Sequence, residues 1–213
     1  MAPASLLQFL ATGRLGPITA EMTRDEVETL LGQPDDIGKP DLQDDRGEST
    51  YWMYGDHLEV FFRSQPPYAI AWFFIRLPSR DAPAGMGKRM LLDMDGLDRR
   101  SPPSAVINIL APSRSKVEVQ FDQDSDLDLR LFVGNRIEML FTTDRRPPQA
   151  DVSPPASLGR LVKEFEASSR IDSVYCFPRP EGRRERFRMR SVYGGRTHTM
   201  SGSEYLRLTN SEA

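Results

Sequence analysis

Apolar residues at helical spacing predict a short helix near the N-terminus. Val27, Leu30 and Leu31 recur at the interval that places them on one helical face. Thr23 precedes them as a candidate N-cap, and Glu26 lies three residues further on, which is the pattern of a capping box. The Gly-Gln-Pro that follows is suited to end the helix.

A second segment has the same helical pattern. Val106, Ile109 and Leu110 repeat the spacing of the first helix. Ser101 is expected to cap this helix, with Pro102 at the favoured first helical position.

Strand-like segments flank two glycine-containing turns, which predicts two β-hairpins. Gly-Asp and Gly-Asn are typical of two-residue hairpin turns, because glycine supplies the positive φ that such turns need. The first hairpin pairs Ser49–Tyr54 with His57–Phe62, and the second pairs Asp128–Val133 with Arg136–Phe141.

Two further strands are expected beside these hairpins. Tyr68–Arg76 is apolar at nearly every position, so we expect it to join the first hairpin and to be covered on both faces. The second hairpin has prolines at the corresponding place, which disfavour a strand, and Lys116–Phe121 precedes it as an alternating segment instead.

The two helix-and-hairpin segments align with each other. Tyr54–Phe62 matches Val133–Phe141 without a gap at an offset of 79 residues, and the same offset places Val27 on Val106. This self-similarity predicts an ancestral duplication. We therefore expect an α+β fold made of two related helix–β-hairpin units that form antiparallel sheets, with a C-terminal α+β extension.

The predicted organisation has four parts. Residues 1–80 hold the first repeat, 81–143 the second, 144–157 a Pro-rich linker and 158–213 the C-terminal extension. Within the extension we expect a helix, a strand and a hairpin around Gly194-Gly195, and the question of a third repeat stays open. Their predicted bounds are Leu158–Ser168, Ile171–Phe177, Arg186–Tyr193 and Arg196–Ser201.

Composition limits the chemistry that the chain offers. Among 213 residues there are one Cys and two His, which excludes a disulfide framework and a Cys-rich zinc site. The 31 acidic and 28 basic side chains are unevenly distributed. Residues 157–213 carry 11 basic and 7 acidic side chains, a net charge of +4, which leaves 17 and 24, a net charge of −7, for residues 1–156.

The compartment is predicted to be the cytoplasm. The first ten residues lack the basic region and the uninterrupted apolar stretch of a signal peptide. No window approaches 18 consecutive apolar residues, so we expect no membrane association. A lone Cys176 fits a reducing environment.

Few side chains are candidates for catalysis. Glu59 and Glu138 occupy equivalent repeat positions and could serve as an acid–base pair, although we favour pairing of each with a nearby Arg or Lys on a solvent-facing strand. We expect Cys176 to be a buried strand thiol, His57 an exposed turn residue and His198 a solvent-facing strand residue. The sequence thus predicts a non-enzymatic protein without catalytic residues, cofactor or metal.

Two acidic loops precede the predicted hairpins. In the second loop, carboxylates alternate as in calcium-binding loops, but Leu127 replaces the expected glycine and Val133 the expected glutamate. We therefore expect a solvated acidic surface that attracts a basic partner. The candidate contact residues are Asp41, Asp44 and Asp45 in the first loop and Asp122, Asp124 and Asp126 in the second.

An arginine-rich segment near the C-terminus supports an alternative function. Arginines alternate there with Phe187 and Met189, so a strand would present a row of guanidinium groups on one face. Nucleic-acid-binding sheets combine arginines with aromatic side chains. The candidate nucleic-acid contacts are Arg184, Arg186, Arg188 and Arg190.

The segment from Gly16 to Asp36 has the form G-x-hydrophobic-x-x-x-M-T-x-x-x-V-x-x-L-L-G-x-P-D, and Tyr51-Trp-Met-Tyr-Gly55 follows it. It resembles the SmpA/OmlA-like helix-plus-hairpin segment found in small bacterial proteins, some of which are immunity proteins of toxin systems. The resemblance implies a protein that neutralises a cognate toxin by occluding it. Tyr51, Trp52 and Tyr54 are candidate anchors, since interface hot spots favour aromatic residues. For Trp52 and Trp72 taken singly, we favour a position in the core.

Overall fold

The structure is a computed structural model that describes residues 2–38, 51–78, 84–113, 115–122, 128–143, 158–177 and 197–210. It has a mixed α+β fold with large antiparallel sheets. The described helices are α1 (Leu6–Thr12), α2 (Arg24–Leu31), α3 (Pro103–Leu110), α4 (Leu158–Ser168) and α5 (Gly202–Asn210). The described strands are β1 (Ala2–Ser5), β2 (Asp36–Gly38), β3 (Tyr51–Tyr54), β4 (Leu58–Phe62), β5 (Ile70–Arg76), β6 (Ala84–Met86), β7 (Met90–Asp93), β8 (Val117–Asp122), β9 (Asp128–Val133), β10 (Ile137–Thr143), β11 (Ser169–Cys176) and β12 (Thr197–Ser201).

The strands form two sheets. The large sheet has nine strands in the order β12-β8-β9-β10-β11-β5-β4-β3-β2, and every neighbouring pair is antiparallel. The small sheet has the order β1-β7-β6, with β1 parallel to β7. Among the described helices none is long and apolar enough to cross a lipid bilayer.

One face of the nine-stranded sheet carries the hydrophobic core. Alternate strand residues on this inner face join the helices and the small sheet in a single cluster of buried side chains. Phe9 of α1 stacks on Phe73 of β5 at 5.5 Å between ring centroids, and Phe165 of α4 meets Phe121 of β8 edge-on at 5.5 Å. The described helices therefore pack against the inner face of the sheet.

The predicted first helix and the helix after the linker are confirmed. Thr23 caps α2 and forms a capping box with Glu26, and Gly32 follows its last residue. The helix expected at Leu158–Ser168 has those bounds as α4. The apolar stripe of α2 coincides with a start and a stop signal, and α4 has a clear apolar stripe, so tertiary contacts were not needed to locate either helix.

The start of α3 differs from the prediction. Pro102 is the N-cap, and no side chain at that position bonds to the helix. The Ser101 hydroxyl instead accepts a hydrogen bond from the Asp98 N–H at 2.8 Å. The N–H of Ser104, in the first turn of α3, donates to Oε1 of Glu166 on α4 at 3.1 Å. A side chain that is distant in sequence therefore supplies the cap.

Both hairpins form, but with three-residue loops in place of the predicted two-residue turns. Tyr54 pairs with Leu58 and Val133 pairs with Ile137, which leaves three residues in each loop. The glycine that begins each loop has positive φ, +58° at Gly55 and +57° at Gly134. The two glycines thus supply the positive φ that the sequence predicted, but in loops that are one residue longer than expected. Ser49 and Thr50, the predicted first residues of the first hairpin, lie outside the described residues.

The C-terminal segment is part of the large sheet. The predicted strand Ile171–Phe177 corresponds to β11, which lies between β10 and β5 and joins the two halves of the sheet. The strand expected at Arg196–Ser201 corresponds to β12, which pairs with β8. Its predicted hairpin partner, Arg186–Tyr193, lies outside the described residues. Sequence reasoning did not identify α1, β2, α5 or the small sheet.

Candidate functional site

The outer face of the large sheet carries a continuous set of aromatic side chains. Alternation along four neighbouring strands turns these rings away from the helix-covered core. None of them belongs to the core cluster on the inner face. We call the set the aromatic face, and its members are Tyr51, Phe61, Trp72, Phe74, Tyr175 and Phe177.

The rings of the aromatic face stack across adjacent strands. Tyr51 stacks on Phe61 with centroids 5.1 Å apart, and Phe61 stacks on Trp72 with centroids 3.6 Å apart and an interplanar angle of 11°. In a second row of rings, the ring centroids of Phe74 and Tyr175 lie 5.2 Å apart. Such stacking stabilises strand pairing, and it turns the ring faces along the sheet, so that ring edges point outward.

Three of these rings are half-buried and therefore reachable from solvent. Tyr51, Trp72 and Tyr175 have intermediate exposure, while the rings between them are buried. The strand β5 was expected to be covered on both faces, and its inner face is; at Trp72 the outer face is only partly covered. The sequence signal for this surface was the unbroken apolar run of β5, which is typical of a strand with two apolar faces.

A paired charge borders the aromatic face. Arg76 Nη2 lies 3.0 Å from Glu59 Oε1, and the side chain of Arg76 is 58% exposed. The Arg76 guanidinium carbon also lies 5.4 Å from the Phe74 ring centroid. Burial raises the pKa of Glu59, and the nearby Arg76 charge offsets this only in part.

The second repeat-equivalent glutamate is also paired with an arginine. Glu138 Oε1 lies 3.8 Å from Arg130 Nε, and both side chains are less than a tenth exposed. The expectation that each glutamate pairs with a basic neighbour is confirmed. The expectation that both strands face solvent is wrong at Glu138, because the outer face of β10 is buried.

The two glutamates are too far apart for shared acid–base chemistry. Glu59 lies opposite Phe74, Phe74 opposite Tyr175, and Tyr175 opposite Glu138. Three strand spacings therefore separate their backbones, about 14 Å at about 4.8 Å per spacing. Carboxylates that share one hydrolytic reaction lie within about 10 Å of each other. Two aromatic rings fill the space between them.

Cys176 is a buried thiol on the inner face, as the sequence predicted. Its Sγ lies 3.7 Å from the carbonyl oxygen of Gly13. Burial raises the pKa of Cys176 to about 12, although the charge of Arg136 acts in the opposite direction. A thiol with so high a pKa carries almost no thiolate at neutral pH and is a poor nucleophile.

The two histidines lie apart from each other. His57, predicted as an exposed turn residue, is in the β3–β4 loop, where its Nδ1 lies 3.0 Å from the Arg76 carbonyl oxygen and its side chain is half-buried. That contact requires Nδ1–H to donate. His198 lies on β12 opposite Phe121 of β8.

The candidate anchors lie on both faces of β3, and Tyr54 is fully buried in the core on the inner face. Tyr51 belongs to the aromatic face. Trp52 is only 6% exposed and packs in the core, 4.9 Å from Phe62 between ring centroids. A side chain in the core cannot insert into a partner, so Trp52 is replaced among the candidate contacts by Trp72, which shares the outer face with Tyr51.

Most of the charged candidates lie outside the described residues. This applies to Asp41, Asp44, Asp45, Asp124 and Asp126, and to the arginines at 184, 186, 188 and 190. Asp122 is the last residue of β8 and pairs with Asp128, so the second acidic loop connects two strands of the large sheet. Within the described part of the chain, no group of three or more His, Cys, Asp or Glu residues is arranged to hold a metal ion.

The two segments that carry the resemblance contact each other. The Tyr54 hydroxyl donates to the Gly32 carbonyl at 3.2 Å, and the Gly55 N–H donates to Asp35 Oδ2 at 2.7 Å. The Asp35 N–H in turn donates to the Met53 carbonyl at 2.8 Å. These bonds connect the end of α2 to the β3–β4 hairpin, so Gly32, Asp35 and Tyr54 stabilise the fold. Of the residues that carry the resemblance, Tyr51 belongs to the aromatic face.

Comparison of the chain with protein-family models, with curated proteins and with solved structures finds no match.

Proposed function

We propose that this chain is a non-enzymatic binding protein, and specifically an immunity protein that neutralises a cognate toxin by occluding it. The observation that carries the proposal is the aromatic face, with Tyr51 and Trp72 half-buried on the outer face of the sheet. Clustered aromatic side chains of this kind supply much of the binding energy at protein interfaces. The toxin-specific part of the proposal comes from the resemblance of the α2 segment.

The ion pairing and burial of the candidate catalytic side chains support a binding function over a catalytic one. Glu59 and Glu138 are each engaged by an arginine. Cys176 is buried beneath α1 with a strongly raised pKa. Each of these side chains has a structural partner, whereas Tyr51, Trp72 and Tyr175 of the aromatic face remain partly exposed to solvent.

The decisive experiment uses the protein encoded by the gene next to this chain. Co-expression should give a stable complex and should restore growth to cells that produce the neighbouring protein. Trp72→Ala and Tyr51→Ala should each weaken the complex by about tenfold or more, as expected for aromatic hot spots. Ile37→Ala is the matched control, because Ile37 is 57% exposed and lies on the edge strand β2.

Three results would contradict the proposal. One is the absence of any complex with the neighbouring protein. A second is a complex that forms without protecting the cells, which would exclude immunity while leaving binding intact. The third is equal loss of binding in the Ile37→Ala control, which would place the contact elsewhere.

We further propose that the two halves of the sheet descend from one duplicated unit. Both bounds of α3 lie 79 residues after those of α2. The β3–β4 register, in which Tyr51 faces Phe61, recurs in β9–β10, where Arg130 faces Leu140. The pairing of β4 with β5 shifts register after Phe61, and that of β10 with β11 shifts after Leu140, which is again the equivalent residue. Bulges are retained within families, so a shared bulge supports common descent.

Sequences of relatives test this duplication. We expect some relatives in which residues equivalent to 24–62 and 103–141 are more alike than in this chain, at the same offset. Halves that diverge independently in every relative, with no shared bulge position, would contradict it.

A further inference from the structure

The outward edges of the aromatic face determine which chemistry it can bind. Phe61 has Tyr51 on one ring face and Trp72 on the other, so only its edge is left to point outward. The edge of an aromatic ring is electropositive and the face electronegative. Oxygen acceptors and apolar groups therefore fit this surface better than cations do.

The positive charge of Arg76 strengthens the preference of this surface for oxygen acceptors over cations. Arg76 already takes the cation position beside Phe74, and among the described residues its carboxylate partner is Glu59. A second cation would be repelled by the Arg76 charge, and the carboxylate of Glu59 is already paired with Arg76. The guanidinium has five N–H donors in a planar fork, so an incoming carboxylate can bond to those that Glu59 leaves unused.

The contrast with Arg24 shows what a cation site on this protein looks like. The Arg24 guanidinium lies over the rings of Trp52, Phe62 and Tyr68, at 5.7, 5.5 and 5.0 Å from their centroids. Ring faces are presented there, as a cation requires. On the aromatic face, neighbouring rings cover both faces of Phe61, and Arg76 of the chain itself already lies over Phe74.

The dimensions of the surface fit a short segment. Across the strands from β3 to β11 it covers three strand spacings, and along β5 Arg76 lies four residues from Trp72; each of these distances is about 14 Å. An extended chain covers that distance with about four or five residues. A surface of this width is far smaller than a protein–protein interface of ordinary size, so it would form one anchoring site within a larger contact.

We propose that the aromatic face binds a short extended segment of the partner in which an Asp or Glu lies beside apolar side chains. The carboxylate pairs with Arg76, and the apolar side chains cover the ring edges of Tyr51 and Trp72. This inference rests on the proposed binding function and names the chemistry of the segment that is bound.

Selection from a displayed library of random 12-residue peptides tests the proposal. The full-length chain is the bait, and the Trp72→Ala chain removes peptides that bind elsewhere. We expect the enriched peptides to combine Asp or Glu with Leu, Ile, Val or Phe. In fluorescence-anisotropy titrations with these peptides, Trp72→Ala should weaken binding by tenfold or more and Arg76→Gln by about three- to fivefold, with a larger effect at low salt.

Matched variants separate this site from a general loss of structure. Arg76→Lys keeps the charge and should stay within about threefold of the wild type, and Ile37→Ala should bind as the wild type does. Circular dichroism identifies variants that fail to fold, and Tyr51→Ala replaces Trp72→Ala if that chain is unfolded.

The proposal is overturned if the enriched peptides are rich in Lys or Arg, if nothing is enriched in a Trp72-dependent way, or if acidic peptides bind equally well to Arg76→Gln. Failure of the immunity function has a different signature. In that case acidic–apolar peptides still bind through Arg76 and Trp72, but the neighbouring protein is not neutralised.

Discussion

Glu166 connects three helices, and its removal tests how the C-terminal part of the chain is held together. Its Oε2 accepts a 2.6 Å hydrogen bond from the hydroxyl of Tyr205 on α5, and its Oε1 accepts the Ser104 N–H at the start of α3. Tyr205 is fully buried, and burial together with the Glu166 charge raises its pKa. We consider the substitutions Tyr205→Phe and Glu166→Gln, singly and combined.

Tyr205→Phe removes one hydrogen bond to an ionised group and leaves the ring in place. Such a bond contributes about 1.5–3 kcal/mol, so the free energy of unfolding should fall by about that amount. In a chain of this length each kcal/mol shifts the melting temperature by about 2–4 °C, which gives a decrease of about 3–12 °C. Because the two side chains contact each other, the double variant should show a coupling energy of about 1–2 kcal/mol.

Urea unfolding followed by circular dichroism and by tryptophan fluorescence measures these changes. Tyr51→Phe is the control, since it makes the same chemical change on the half-buried outer ring, and it should alter stability by less than about 0.5 kcal/mol. If Tyr205→Phe proves no more destabilising than this control, or if the two substitutions add without coupling, the inferred helix junction is wrong.

Three further predictions follow from local geometry. Thr23→Ala should cost about 1 kcal/mol in urea unfolding because it removes the cap of α2, whereas Thr29→Ala, whose hydroxyl bonds back within the same helix, should cost nearly nothing; equal costs would refute the capping assignment. Cys176 should react with a thiol reagent at pH 8 only as fast as the protein opens, because its pKa is about 12; rapid labelling of the native chain would contradict this. Because the pKa of Glu59 is raised in the folded protein, its ionisation opposes folding. Between pH 4 and pH 7 the wild type should therefore lose stability relative to Glu59→Gln. A relative gain would show that the charge of Arg76 lowers the pKa of Glu59 by more than burial raises it.

Local patterns were sufficient for elements whose signals lie within one segment. The capping box of α2 and the apolar stripe of α4 need only neighbouring residues, and both helices were located from sequence. The cap of α3 was missed because Glu166, which supplies it, is 62 residues away from Ser104. No rule based on adjacent residues identifies such a partner.

In the candidate site too, the sequence indicates some features and only the tertiary structure shows the others. Alternation along β3, β4 and β5 indicates that Tyr51, Phe61 and Trp72 occupy one face of their strands, but not that the three rings stack in one column. Their alignment depends on strand register, which is set by the pairing of all the strands together. Sequence reasoning therefore chose Trp52, which is adjacent to Tyr51 but lies on the opposite face.

The sequence by itself determined the helix and hairpin units and their glycine-led loops, because these depend on contacts between near neighbours. It also showed the self-similarity of the two halves, which is a property of the sequence alone. Only the tertiary structure decided that β11 joins β5 to β10 and so places Glu59 and Glu138 at the two ends of one row, with Phe74 and Tyr175 between them. Hydrogen bonding between open sheet edges depends on backbone groups that all residue types share, so the sequence carries little information about which edges meet.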